Sequence, residues 1–299
     1  MKKTSTYIAG VIFTVLLIFS CIFAMGAGVV RFRMLDTDAV QELVTKKELP
    51  EKVHAALETE FRTAENTTGI PFSVYEGSIS ADQLEPLIRE SITNGFAYLR
   101  GDAAILGIQP DFSELNDRIG NFFSEYADKN NVIRDSAYDE AVRAAKESAS
   151  LRIRTACDVF RFSMLADAGV LEPAKTYIPW AGYGVFAAFA AVTLFALLLF
   201  FANYQEPETG LYWIGSGVLI ASLLVMIPSV WLQKTGWFDR FAVKTDHTFA
   251  AVTGYLYSGT HALIVTAVCG ILFAVLCYLL FWLLHSLRLR KTALKKAKH

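Results

Sequence analysis

The groups of this sequence that could do nucleophilic, acid–base or metal chemistry are a few histidines, cysteines and carboxylates, and their spacing serves none of the three. His54 is the lone histidine between residues 31 and 178. A zinc site needs three or four converging ligands, and neither Cys157 nor a second histidine stands at ligand spacing to it. Cys157 lies between Ala156 and Asp158 with no histidine near it in sequence, whereas a thiolate nucleophile needs a base and a group that orients the base. Asp102, Asp111, Asp117, Asp158 and Asp167 are acids enough for a glycosidase-like pair, but such a pair must be held at a fixed separation in a cleft. Asn66-Thr67-Thr68 matches a glycosylation triplet, a pattern frequent by chance. These residues read as packing and solvated surface groups. No catalytic residue, cofactor-binding residue or metal ligand is assigned, and no cofactor is implied.

The elements that must position any such group divide the chain sharply. Of the 299 residues 54% are apolar, and the excess collects in four blocks. Tyr7–Val30 holds no charged residue over 24 positions, about 36 Å as a helix, against a hydrocarbon core of roughly 30 Å. Trp180–Ala202, Leu211–Gln233 and Ser258–Leu284 pass the same test. Backbone polar groups in lipid must be satisfied within the segment, so helices are expected. The opening Met1-Lys2-Lys3 before an apolar run also fits an export signal, and Ile18-Phe19-Ser20-Cys21 partly follows a lipoprotein cleavage site that would leave Cys21 lipidated. The length of the run and the presence of Phe19 favour a retained span.

Between Arg31 and Ile178 stand 17 Lys/Arg and 25 Asp/Glu, a net of −8. That balance argues against a nucleic-acid partner, because phosphate binding needs clustered cations. Cys157 is the only cysteine there, so the segment must be stabilised by packing without an internal disulfide. Its pattern is helical. Asp36–Glu48 and Glu51–Glu65 read as two helices broken at Pro50. Ser80 with Gln83 fits a capping box ahead of Leu84, Leu87, Ile88, Ile92 and Leu99. Asp111 with Glu114 repeats the signal ahead of Leu115, Ile119, Phe122 and Tyr126. A long helix is predicted from Ser136 to Ala168, with Tyr138, Val142, Ala145, Ala149, Ile153, Ala156, Phe160 and Met164 on one stripe. Thr68-Gly69-Ile70-Pro71 opens an irregular stretch, with a short extended piece expected through Val74 and Tyr75.

Orientation follows from the positive-inside rule. Lys2 and Lys3 precede the first span, and Arg31 and Arg33 follow it, close to a tie. The tail breaks it: Arg288, Arg290, Lys291, Lys295, Lys296 and Lys298 follow the last span with no acidic residue. Both termini are therefore expected in the cytoplasm and the middle domain outside. The 203–210 loop, cytoplasmic by parity, has no Lys or Arg, while the 234–257 loop carries Lys234, Arg240 and Lys244; both run against the rule. The tail cations are expected to face anionic lipid.

Within the spans small residues recur. Ser258, Ala262, Thr266, Gly270 and Ala274 repeat every fourth position of the last one, a ridge for close helix approach; Ser20, Ala24 and Gly28 do so in the first, and Gly217 with Ala221 in the third. The pattern fits a tight bundle, a homo-oligomer or a partner membrane helix. No span interior carries Asp, Glu, Lys or Arg, which argues against coupled transport. Ser216, Ser222 and Thr266 are the hydroxyls left to line a passive pore, and His261 and His285 sit near the ends of the last span.

Ile70-Pro71 with Val74-Tyr75-Glu76, Tyr98-Leu99-Arg100-Gly101 and Asp111-Phe112-Ser113-Glu114-Leu115 form a pattern similar to that of uncharacterised four-span integral membrane proteins of Gram-positive anaerobes. That resemblance implies one span, an outer helical domain and three further spans, and no activity. The expected protein is all-α: four transmembrane helices with an extracytoplasmic helical bundle inserted between the first two. Its parts are residues 1–30 (N-terminus and first span), 31–177 (bundle), 178–285 (three spans) and 286–299 (basic tail). Its function is expected to be non-enzymatic binding of a partner, ligand or envelope component at the cell membrane. A channel or transporter subunit and a membrane-surface enzyme are the alternatives.

Overall fold

The computed structural model describes residues 2–103 and 106–296, and every regular element among them is helical. The chain runs α1 (Lys2–Val29), α2 (Thr37–Lys46), α3 (Leu49–Thr68), α4 (Ser73–Glu76), α5 (Ala81–Arg100), α6 (Ser113–Asn130), α7 (Ser136–Cys157), α8 (Phe162–Asp167), α9 (Leu171–Ala202), α10 (Pro207–Lys234) and α11 (Asp246–Lys296). It divides into two compact units. One is made of Met1–Leu35, Trp180–Arg240 and Leu256–His299, the other of Asp36–Pro179 with Phe241–Tyr255.

Four helices are long and apolar enough to cross a membrane, Tyr7–Met34, Leu171–Ala202, Pro207–Lys234 and Asp246–Arg290, and the greater part of each belongs to the first unit. The protein is thus built as a multi-pass membrane protein. Each helix outruns its charge-free stretch. α1 continues into a π-helical turn at Val30–Met34, where the Leu35 N–H reaches the Val30 carbonyl at 2.9 Å. α11 has 51 residues, about 77 Å at 1.5 Å per residue, so most of its length exceeds any bilayer core. Its beginning was expected to be loop; the structure has helix from Asp246, started by the Phe249 N–H on the Thr245 carbonyl (2.9 Å). Leu17 and Cys21 of α1, Leu199 of α9, Ile214, Val218 and Ala221 of α10, and Ala274 and Cys277 of α11 make the buried core of this unit.

The second unit is stabilised by apolar stripes that meet as helical period demands. Val53, Leu57 and Phe61 of α3, Leu84, Ile88 and Ile92 of α5, Leu115 and Ile119 of α6, and Ala149 and Ile153 of α7 are buried together. Each fully buried Leu, Ile or Phe contributes about 1.5–3 kcal/mol. Ala250 and Ala251 of α11 join the same core, a contribution invisible to a reading that stopped the domain at residue 177.

Local chemistry explains the boundaries. Pro50 stands in the first turn of α3, where a missing N–H is harmless. Gly69 ends α3 in a left-handed conformation (φ 69°), which a side chain would resist. Two expectations fail. The stretch through Val74 and Tyr75 is the short helix α4, because the Val74 N–H bonds to the Pro71 carbonyl and the Tyr75 N–H to that of Phe72. The helix from Ser136 stops at Cys157. Asp158 turns its carboxylate to the N–H groups of Phe162 (2.9 Å) and Ser163 (2.8 Å), so α8 starts as a separate helix and Met164 is left exposed.

Candidate functional site

The residues that sequence offered for chemistry form no common site. His54 Nδ1 lies 2.7 Å from the Ile79 carbonyl oxygen. Cys157 is fully buried, and burial, with Asp158 adding to it, pushes its thiol up to about 12. Asp102 pairs with Arg100 at 2.8 Å. Asp111 accepts the Ser113 N–H (2.9 Å) at the start of α6, and that bond holds its carboxyl below the usual range. Asp158 is buried in its capping role, while Asp117 and Asp167 are exposed. Among the described residues no group of three or more His, Cys, Asp or Glu is placed to hold a metal ion. Asn66-Thr67-Thr68 is exposed at the end of α3.

Two concave features among the described residues of the helical unit border α7. One is a cavity of about 380 Å³ lined by Phe61, Ala64 and Thr68 of α3, Ile70, Tyr75, Phe123 of α6, and Ala141, Ala144, Ala145, Ser148, Ala149 and Arg152 of α7. On its floor the rings of Phe61 and Tyr75 stack with centroids 4.1 Å apart. Burial raises the Tyr75 phenol above its ordinary value, and the nearby Arg152 charge opposes that. Arg152 is anchored by Glu60 at 2.5 Å. The cavity is therefore apolar with a polar rim of Thr68, Ser148 and Arg152. The other feature is a groove of about 900 Å³ between α6 and α7, with Asn116 and Gly120 on one side and Tyr138, Val142, Lys146, Ser150 and Arg154 among the α7 residues on the other. Sequence reading had put Tyr138, Val142 and Ala145 on the core stripe; they are half-buried and line these clefts.

His247 was not singled out from sequence. It is buried in the helical unit at the start of α11, and neither ring nitrogen has a hydrogen-bond partner among the described residues. No local motif marks it, since its burial comes from the contribution of Phe241–Tyr255 to that unit.

In the membrane unit the small-residue ridge meets neighbouring helices of the same chain. A Cβ on Gly270 would fall 2.2 Å from Ser222 Oγ of α10 and 3.1 Å from Met25 Cε of α1. Ala274 is fully buried, and its carbonyl would lie 3.3 Å from a Cβ on Gly215. Thr266 Oγ1 donates to the Ala262 carbonyl (2.8 Å), and Ser258 Oγ accepts from Arg33 Nε at 3.4 Å. Ser216 bonds back to Tyr212 O (2.8 Å) and lies 2.9 Å from Tyr278 Oη. These hydroxyls serve helix contacts. His261 is exposed, and His285 Nδ1 is 3.9 Å from Glu208 Oε1.

Arg288 is engaged by protein groups: it donates to Glu208 Oε1 at 2.5 Å and stands 3.6 Å from Glu206 Oε1. Arg290 is exposed. The side chains of Lys291, Lys295 and Lys296, and Lys298 entirely, lie outside the described residues. No protein-family model matches this chain, and neither a curated protein nor a solved structure is found to be similar to it.

Proposed function

We propose that this protein is a membrane-anchored, non-enzymatic binding protein whose helical unit lies outside the cytoplasm and takes its ligand along α7. The observation that carries the reading is the pair of clefts flanking that one helix. Their volumes, about 380 and 900 Å³, fall in the range of about 300–1,000 Å³ usual for small-molecule sites. The apolar cavity has the make-up of such sites, with aromatic and aliphatic walls and few polar groups at the rim.

Tail cations support a cytoplasmic C-terminus. Glu206 and Glu208 of the 203–210 loop pair with Arg288 at the tail end of α11, which fits loop and tail lying on the same side of the membrane. Small-residue packing inside the chain supports a closed four-helix anchor. A homo-oligomer or partner membrane protein would then use another face.

The test is retention. Full-length protein purified in mild detergent is examined by native mass spectrometry, beside an Ala145→Trp variant whose indole fills the apolar cavity. The reading expects a bound molecule on the wild type and its loss from the variant, whose ligand-free thermal midpoint is no lower than that of the ligand-free wild type. A wild type that carries nothing, or an equal load on both, overturns it. For orientation, a single cysteine at Asp139 should react with an impermeant maleimide on intact cells, and one at Ser286 only after lysis.

A further inference from the structure

Resting on that reading of α7, we propose that the α6–α7 groove binds an extended hydroxylated anion with two acidic groups, such as a sugar or polyol bisphosphate. The groove's charges decide its sign. Arg143 and Glu147 lie 3.9 Å apart and offset each other, and Arg143 also faces Glu140 at 3.6 Å. Asp139 sits in the first turn of α7, where the helix N-terminus favours a carboxylate. Lys146 and Arg154 remain. Neither has a carboxylate within 4.0 Å or donates a side-chain hydrogen bond among the described residues; Arg154 has only the Phe112 ring, at 5.4 Å. Counted in full, Arg143, Lys146 and Arg154 stand against Asp139 and Glu147, so the groove is net +1 in a domain whose sequence is net acidic.

The spacing of Lys146 and Arg154 sets the ligand's length. Positions 146, 150 and 154 fall on one face of α7, and eight residues separate the outer two by about 12 Å. A single compact anion meets both only if the two long side chains fold toward each other, whereas two acidic groups on one scaffold meet each cation at its own end of the groove. Between them stand neutral hydrogen-bonding side chains, Ser150 on α7 and Asn116 on α6, with Tyr138 nearby. None of these three makes a side-chain hydrogen bond within the protein among the described residues; Asn116 Oδ1 is buried, and the hydroxyls of Ser150 and Tyr138 are left for the ligand. Gly120 keeps the groove open on the α6 side: a Cβ there would already lie 3.4 Å from Lys146 Nζ.

The probe is fructose 1,6-bisphosphate, titrated calorimetrically into the full-length protein in detergent at low salt, with fructose and inorganic phosphate as comparisons. Saturable bisphosphate binding is expected, weakened by salt. Lys146→Glu and Arg154→Glu should each lower affinity at least about tenfold, as loss of a charge-assisted contact predicts, while Lys129→Glu, an exposed cation outside the groove, should leave it unchanged. No binding, equal binding of inorganic phosphate, or equal loss in Lys129→Glu overturns the proposal. Such a failure leaves the broader reading standing if Ala145→Trp still strips a bound molecule from the neighbouring cavity.

Discussion

Replacing Gly95 by alanine sets two known energies against each other. In mid-helix, alanine is favoured over glycine by about 1 kcal/mol, so on an open face Gly95→Ala would stabilise α5. Here the new Cβ would stand 2.1 Å from Phe162 Cδ2 and 2.3 Å from Cε2, well inside contact distance. The ring is not free to swing away: it packs edge-on to Phe96 at 5.5 Å and lies 5.6 Å from Phe160. The backbone N–H of Phe162 is held by Asp158. Overpacking of this kind costs about 1–3 kcal/mol, leaving a net loss of about 1 kcal/mol. In a unit of this size that lowers the thermal midpoint by about 2–4 °C. The assay is thermal unfolding of the full-length protein in detergent, with hydrogen exchange across α8 as local readout. Phe162→Ala alone should cost about 3–5 kcal/mol. Adding Gly95→Ala to it should then raise the midpoint, because the clash is gone and only helix propensity remains. If Gly95→Ala stabilises the native background, or the double variant shows no reversal of sign, the packing of α8 against α5 is wrong.

Three further outcomes are expected. Cys157 should resist iodoacetamide at pH 8 in the folded protein and react on denaturation. Because its folded-state value is raised, from 9.0 to about 12, its contribution is complete below pH 9 and is lost as pH rises toward 12, by about 1.4 kcal/mol for each unit; Cys157→Ala should flatten that part of the alkaline stability curve. Gly270→Leu should disrupt the membrane unit, seen as a lower thermal midpoint in detergent, and Gly270→Ala should be partly rescued by Ser222→Gly, whose hydroxyl is the obstacle. Arg288→Gln should lower the midpoint more than Glu208→Gln, since it takes the guanidinium from a buried carboxylate, whereas the converse leaves a half-exposed guanidinium still beside Glu206; equal effects would show the pair to be a surface contact.

Much of the architecture was legible because hydropathy and helical period are properties of single segments. The four apolar runs, the break before Pro50 and the buried positions Leu84, Ile88, Ile92 and Leu99 are each readable within twenty residues. What escaped depends on partners distant in sequence. The start of α11 looks like loop until Ala250 and Ala251 are seen in the core of the other unit. Asp158 gives no sign in sequence that it will accept two backbone N–H groups and end a stripe that runs on in pattern to Met164. Ser80 precedes α5 as the capping signal predicts, but its hydroxyl bonds the Gln83 side chain at 3.2 Å and not the backbone. Arg288, read as lipid-facing, meets Glu208 eighty positions away.

The clefts escaped for a different reason. A periodic stripe counts alanine as apolar, yet alanine fills little space. α7 brings Ala141, Ala144, Ala145 and Ala149 to the side facing α3 and α6, where Leu or Ile at the same positions would close the gap. Only Ala149, at the end where Ile153 and Ala156 take over, is fully packed. The first half of the helix keeps its length and its capping by Asp135, whose carboxylate accepts the N–H groups of Ala137 and Tyr138, but lacks the bulk to seal against its neighbours. A helix that is well started and poorly filled along one half is stable enough to hold a shape and empty enough to admit something into it. The same volume argument sets the sign of cavity-filling changes: Ala144→Leu or Ala145→Leu should stabilise the unbound protein by adding buried apolar surface and lower its capacity for ligand. If such changes destabilised it instead, the space beside α7 would be closed in the folded protein, and no binding role could be placed there.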